Sequence, residues 1–168
     1  GNVIAVVDAG LDEKMSEEAD YILASEVADA GCIVLSKTQE ASEKSIESTV
    51  KHLNRALEAV HCKRKFGEDE IIRKDWEQFE TEDFERILNS GYIAEDYEKM
   101  SLDEKEVFKS LYFMDLEISG AELRDAAQKI MQDPACGSVF RIKGFTQEAD
   151  GSWTELNATH HEITQCPI

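Results

Sequence analysis

The chain has 168 residues and a mass of 18.9 kDa, enough for one ordinary domain or two small ones that each bury a core. Thirty-six acidic against eighteen basic side chains leave a net charge of −18 at pH 7, which repels a phosphate backbone or an anionic membrane surface and excludes nucleic acid as an expected partner. At 42% hydrophobic and 32% charged residues the composition is that of a folded chain, and no apolar run approaches the ~20 residues that a membrane-spanning helix needs.

The opening residues GNVIAVVDAG lack the basic region and long apolar stretch of a signal peptide, so a cytoplasmic location is the expectation. Cys32, Cys62, Cys136 and Cys166 are scattered singly without a CxxC pair, and reduced thiols are expected. Entry into an apolar run directly after Gly1 is the pattern expected of a fragment, with further strands upstream.

Residues 3–7 form a continuous, mostly β-branched run ending in Asp8, which predicts a parallel-type strand covered on both faces. Met15, Ala19, Ile22, Leu23, Val27 and Ala30 recur at helical spacing behind Ser16, an N-cap, with Gly31 as the stop. Residues 32–35 predict a second strand, so residues 2–36 read as a βαβ unit with its right-handed crossover. Ile46, Val50, Leu53, Leu57 and Val60 then follow one another at steps of four, three, four and three behind Ser42, an amphipathic helix. Residues 61–75 read as a linker with one strand at Ile71 and Ile72, in which Lys63, Arg64 and Lys65 form a solvated basic cluster. Thr81 starts a short helix expected to bury Phe84, Ile87 and Leu88 and to end at Gly91, with Trp76, Phe79 and Tyr92 packed beside it.

Ser101 with Glu104, and Ser119 with Glu122, match the capping box and predict two helix starts. Between them residues 111–118, which include Tyr112 and Phe113, predict a strand and core. After them Leu123, Ala127, Ile130 and Met131 predict a helical face stopping before Pro134. Residues 139–145 and 153–158 flank Asp150-Gly151, a two-residue hairpin signal, and Ile163 marks a last strand. The C-terminal part is therefore βαβββ. The fold class predicted is α/β plus α+β: a partial parallel βαβα segment at 1–66, a helical connector at 67–105 and an α+β domain with an antiparallel sheet at 106–168.

VVDA at 6–9, an intervening helix and IVLSKTQ at 33–39 resemble the later half of a P-loop GTPase of the CobW family. FRIKGF at 140–145, the hairpin DGSW at 150–153 and LNAT at 156–159 are similar to the C-terminal domain of that family. KDWEQF, EDFERIL and SGY in the middle are weaker echoes. The resemblance implies a GTP-binding metallochaperone of the cobalamin-synthesis or metal-insertion type, with GTP and magnesium as cofactors of the parent protein and zinc or cobalt as cargo. Its implied partners are a client metalloprotein, the protein's own upstream GTPase half, or a second copy laid against the sheet edge at residues 3–7.

The chain departs from the family pattern in three respects. GxxxxGK followed by Ser or Thr, the loop whose amides cradle phosphates, occurs nowhere in these residues, and neither does the family's cysteine-containing metal motif. The guanine motif of such GTPases ends in aspartate, whose two acceptors meet two N–H donors of the base; SKTQ puts Gln39 there, an amide with one acceptor and an unwanted donor. Ser36, Lys37 and Gln39 are thus the nucleotide-binding candidates, a remnant guanine motif whose bland reading is the polar end of a strand. Asp8 mimics a magnesium-holding aspartate but reads more simply as another strand end.

His61 with Cys62, and His160 with His161, lack a second pair at zinc-ligand spacing, so no metal site is predicted and this chain alone is expected to hold no cofactor. Arg141 and Lys143, two apart on one strand, share a face that is either rim or plain surface. Two functions follow: an interaction portion of a CobW-like GTPase without hydrolysis of its own, or a stand-alone acidic interaction module that binds neither nucleotide nor metal.

Overall fold

The computed structural model describes residues 1–101 and 109–168 and separates into two compact units, Gly1–Lys109 and Ser110–Ile168. The two N-terminal β-branched runs become β1 (Ile4–Asp8) and β2 (Cys32–Ser36), paired in parallel from Ile4 opposite Cys32 to Asp8 opposite Ser36. Between them runs α1 (Glu17–Ala28), whose N-cap Ser16 accepts a hydrogen bond from the Ala19 N–H. α2 (Glu43–Ala59) starts the same way at Ser42. β3 (Ile71–Ile72) pairs in parallel with the other edge of β2, giving the order β1-β2-β3.

Alternation along the strands sends Val7, Ile33 and Leu35 to the face covered by the helices, where Ala24, Val27, Ile46, Leu53 and Leu57 close the core. Each large side chain enclosed there contributes ~1.5–3 kcal/mol of burial free energy. The opposite face of β1 is open: Val6 is 68% exposed and Ile4 is exposed beside it. This corrects the expectation of a strand covered on both faces. α1 and α2 both lie on one side of the sheet's core, and no element among the described residues covers β1 on the other.

The basic cluster is also corrected at its centre. Lys63 and Lys65 are exposed, but the Arg64 side chain is only 4% exposed and donates to the Ala28 carbonyl at 2.7 Å and to Glu70 at 3.0 Å. α1 has no basic residue in its last turn, and Arg64 supplies one from 36 residues away in sequence.

α3 (Thr81–Leu88) forms where expected at its start, with its N-cap one residue earlier at Glu80, but it ends at Leu88 with Asn89 as its C-cap and not at Gly91. Its apolar side chains are not buried: Phe84 and Leu88 are exposed, as are Trp76 and Tyr92, while Phe79 meets the Phe84 ring edge-on at 5.6 Å. The buried member is Asp83, which accepts from Lys74 Nζ at 2.7 Å and from the Glu80 N–H at 3.0 Å. The Lys74 hydrogen bond, seconded by that backbone amide, holds the Asp83 carboxyl below its ordinary range. A carboxylate depressed on folding adds stability above its unfolded pKa, about 3.9, and loses it as pH falls through the folded value. The Glu80 and Asp83 amide resonances are therefore expected to titrate with a midpoint below about 3.9, and the step should vanish in Asp83→Asn; a midpoint at the ordinary value would dismiss the contact.

In the second unit α4 (Gly120–Gln132) opens on the predicted capping box. Glu122 N–H donates to Ser119 Oγ, and the Glu122 carboxylate accepts from the Ser119 N–H at 3.0 Å. β4 (Ile142–Gln147), β5 (Trp153–Ala158) and β6 (Ile163–Pro167) form an antiparallel sheet in that order, with Leu156 and Ala158 buried against Ala127 of α4. The hairpin differs from the expected two-residue form. Its last ladder pair is Gln147 with Trp153, Glu148 N–H donates to the Ser152 carbonyl, and Gly151 at φ +86° sits third in a loop of residues 149–151.

Residues 111–118 form no strand. Leu111, Tyr112, Phe113, Met114 and Leu116 are exposed, Asp115 has φ +57°, and among the described residues no neighbouring backbone supplies a ladder. Glu104, and with it the capping box predicted from Ser101, lies outside the described residues. The chain is thus mixed α/β: a three-stranded parallel sheet with helices, followed by a separate three-stranded antiparallel sheet. Among the described residues no helix is long and apolar enough to cross a membrane.

Candidate functional site

Parallel pairing puts the carboxyl ends of β1 and β2 side by side, the crest where open α/β sheets receive ligands. Register alone sets Asp8 opposite Ser36. The ladder carries on one step, with the Ala9 N–H donating to the Ser36 carbonyl at 2.8 Å, while Ser36 Oγ reaches the Val7 carbonyl at 3.3 Å. The chain then turns sharply: Lys37 takes φ +58°, which a non-glycine residue adopts only where its surroundings hold it, and its carbonyl accepts from Glu40.

That turn returns the lysine side chain over β1. Lys37 Nζ lies 2.6 Å from Asp8 Oδ2, and Asp8 Oδ1 accepts the Gly10 N–H at 2.8 Å. Thr49 and Ser45 of α2 donate to the Ala9 carbonyl at 2.9 and 3.3 Å, fixing the β1 exit against the helix. The result is a polar crest with one partly exposed ion pair.

The structure brings Ser36 and Lys37 together with Asp8. Gln39 lies in the following turn, exposed. Asp8 was not among the nucleotide-binding candidates, and its contact with Lys37 becomes visible only once the register of β1 and β2 is known. Chemically, the crest offers a cation and a carboxylate that already satisfy one another. It does not fit bound magnesium-GTP by itself: both Asp8 oxygens are engaged, Gln39 lacks the second acceptor for guanine, and the sequence holds no phosphate loop.

The other candidates take up different partners. His61 Nδ1 is 2.8 Å from Glu98 Oε2, and Cys62 is buried in the core. His160 and His161 are exposed in the turn before β6, where Thr159 Oγ1 accepts from the His161 N–H. Lys143 pairs with Glu155 at 2.7 Å, and Arg141 Nε donates to Asn157 at 2.7 Å. His52 on α2, which sequence reasoning passed over, is buried with Nε2 at 2.6 Å from Asp20 on α1. It lies one residue off the stripe of Ile46, Val50, Leu53 and Leu57, and nothing local marks either its burial or the pairing.

Comparison of the chain with protein-family models, with curated proteins and with solved structures finds no match.

Proposed function

We propose that this chain is the C-terminal part of a CobW-like GTP-binding metallochaperone of the cobalamin-synthesis or metal-insertion type, and that these residues serve protein interaction without hydrolysing GTP themselves. The observation that carries the reading is the open edge of β1. In a strand, the N–H and C=O of one residue point the same way and alternate along the chain. Gly31 donates to the Val3 carbonyl and Ala9 donates to Ser36, so residues 3, 5, 7 and 9 face β2, and the backbone of Ile4 and Val6 faces outward. No charge, proline or bulge guards this edge between residues 3 and 7. An unguarded apolar edge ending in the Asp8–Lys37 crest is what the inner strand of a divided nucleotide domain would present to the half that carries the phosphate loop.

On this reading the parent protein uses GTP and magnesium, carries zinc or cobalt and meets a client metalloprotein, all in the cytoplasm. A stand-alone acidic interaction module is the second reading, favoured by the exposed Leu111, Tyr112, Phe113 and Met114. In that case a second copy would cover the β1 edge. Reading the source gene in frame upstream of the Gly1 codon separates the two. The expected result is about a hundred further residues bearing GxxxxGK and Ser or Thr; a start codon immediately upstream overturns the first reading in favour of the second. The purified chain is expected to release no phosphate from magnesium-GTP above the blank. Turnover that Lys37→Ala abolishes would overturn the claim that this portion does not hydrolyse GTP.

A further inference from the structure

We propose that the cleft between α2 and the carboxyl end of β3 binds a small organic oxyanion, its charged group on Arg73 and its apolar body against Val50 and Phe66. The cleft encloses about 310 Å³ and is lined by Glu47, Val50, Lys51, Phe66, Gly67 and Arg73. Arg73 leaves β3 at the carboxyl end of the parallel sheet, the same end as the crest at Asp8 and Lys37.

Its guanidinium is the telling group. Nε of Arg73 is buried with no acceptor among the described residues, and Arg73 makes no ion pair there either. The nearby cations are engaged otherwise: Arg64 with Glu70 and the end of α1, Lys74 with Asp83. In a chain with twice as many acidic as basic side chains, an arginine that lines a cleft without a carboxylate partner among the described residues is the group with which a bound anion would pair. Lys51 is a second cation within reach. It stands 3.8 Å from Glu47, beyond hydrogen-bond distance, and both are exposed, so it can turn to an incoming anion.

The wall is built rather than loose. Asn54 clamps Phe66 by donating to its carbonyl at 3.2 Å and accepting its N–H at 2.8 Å, and the ring is buried. Glu47 at the rim opposes a second negative charge, which favours a ligand charged at one end. A phosphate ester and a carboxylate share this chemistry.

The ¹⁵N-labelled full chain should be titrated at millimolar concentrations with phenyl phosphate, benzoate and inorganic phosphate, following the Arg73 Nε–H and the Phe66 and Gly67 amides. The expected result is a saturable shift with phenyl phosphate or benzoate, weakened at least tenfold by Arg73→Gln and unchanged by Lys143→Gln in the other unit. Tighter phenyl phosphate assigns a phosphate ester, and tighter benzoate a carboxylate. Inorganic phosphate bound as tightly as both overturns the apolar subsite, and no saturable shift with any probe overturns the site. Should Arg73→Gln fail to fold, Glu47→Gln is expected to tighten binding a few-fold, and an unchanged or weaker affinity in that variant counts against the proposal.

Discussion

Arg64→Ala is expected to lower the unfolding free energy by about 3 kcal/mol, while Lys63→Ala and Lys65→Ala stay within about 0.5 kcal/mol of the parent. The three residues are consecutive, so the contrast tests geometry and not composition. Arg64 is enclosed, and its two terminal nitrogens tie two separate segments of the chain to its own. One donates to Ala28 at 2.7 Å and more weakly to Val27 at 3.4 Å, the last carbonyls of α1; the other donates to Glu70, just before β3. Its guanidinium carbon also lies 4.3 Å from the Phe66 ring centroid. Truncation leaves the Ala28 carbonyl without this donor, while Val27 keeps the Ala30 N–H; it also opens a cavity beside Phe66 and strands Glu70. Glu70 is about a third exposed and can recover water, which keeps the loss at the lower end of what breaking a buried pair costs. Urea titration followed by far-UV circular dichroism gives the three values directly. If Arg64→Ala costs no more than its neighbours, the guanidinium is solvated and the cap on α1 does not exist.

This cluster shows where sequence reading stops. Three adjacent cations after a helix look the same whether they are solvated or folded back, because the carbonyls that receive Arg64 are 36 residues away. The elements that were legible carry their cause locally. The alternating steps of four and three behind Ser42 specify both the face and the start of α2, and Ser119 with Glu122 specifies the start of α4 by a bond between neighbours. α3 lies between these cases. Its pattern correctly groups Phe84 and Leu88 on one face, but what covers a face is a tertiary fact, and here it stays exposed. Residues 111–118 fail for the same reason, since an apolar run becomes a strand only beside a partner ladder, and the left-handed Asp115 interrupts the extension. At the candidate site, Ser36 and Lys37 were legible from the apolar run that precedes them, whereas the Asp8 contact across 29 residues required the register.

Gly31 is where a local interpretation was right about the residue type and wrong about its cause, and Gly31→Ala is expected to cost about 3 kcal/mol, the upper end of overpacking penalties. A glycine after a helical face reads as a helix stop. The helix ends three residues earlier at Ala28, and at Gly31 the constraint is space: an added Cβ would lie 2.7 Å from the Ser90 carbonyl carbon and closer still to the Ser90 and Gly91 oxygens. These are backbone atoms with little freedom to withdraw. Gly91 accepts from the Val3 N–H at 2.9 Å and donates to the Asn2 side chain, which itself donates to Leu88, while Ile93 donates to Asp29 at 3.2 Å and Tyr92 bridges Ala30. Gly31 itself donates to Val3 at 2.7 Å, so the segment after α3 and the turn into β2 are both anchored to the entry of β1. An alanine must push this junction apart or break one of its bonds. The damage falls at the amino ends of the strands, opposite the Asp8–Lys37 crest, so the urea midpoint should drop while the Lys37 resonances keep their shifts. A loss below about 0.5 kcal/mol would mean that residues 90–91 yield freely, and that the close approach is not what requires glycine here.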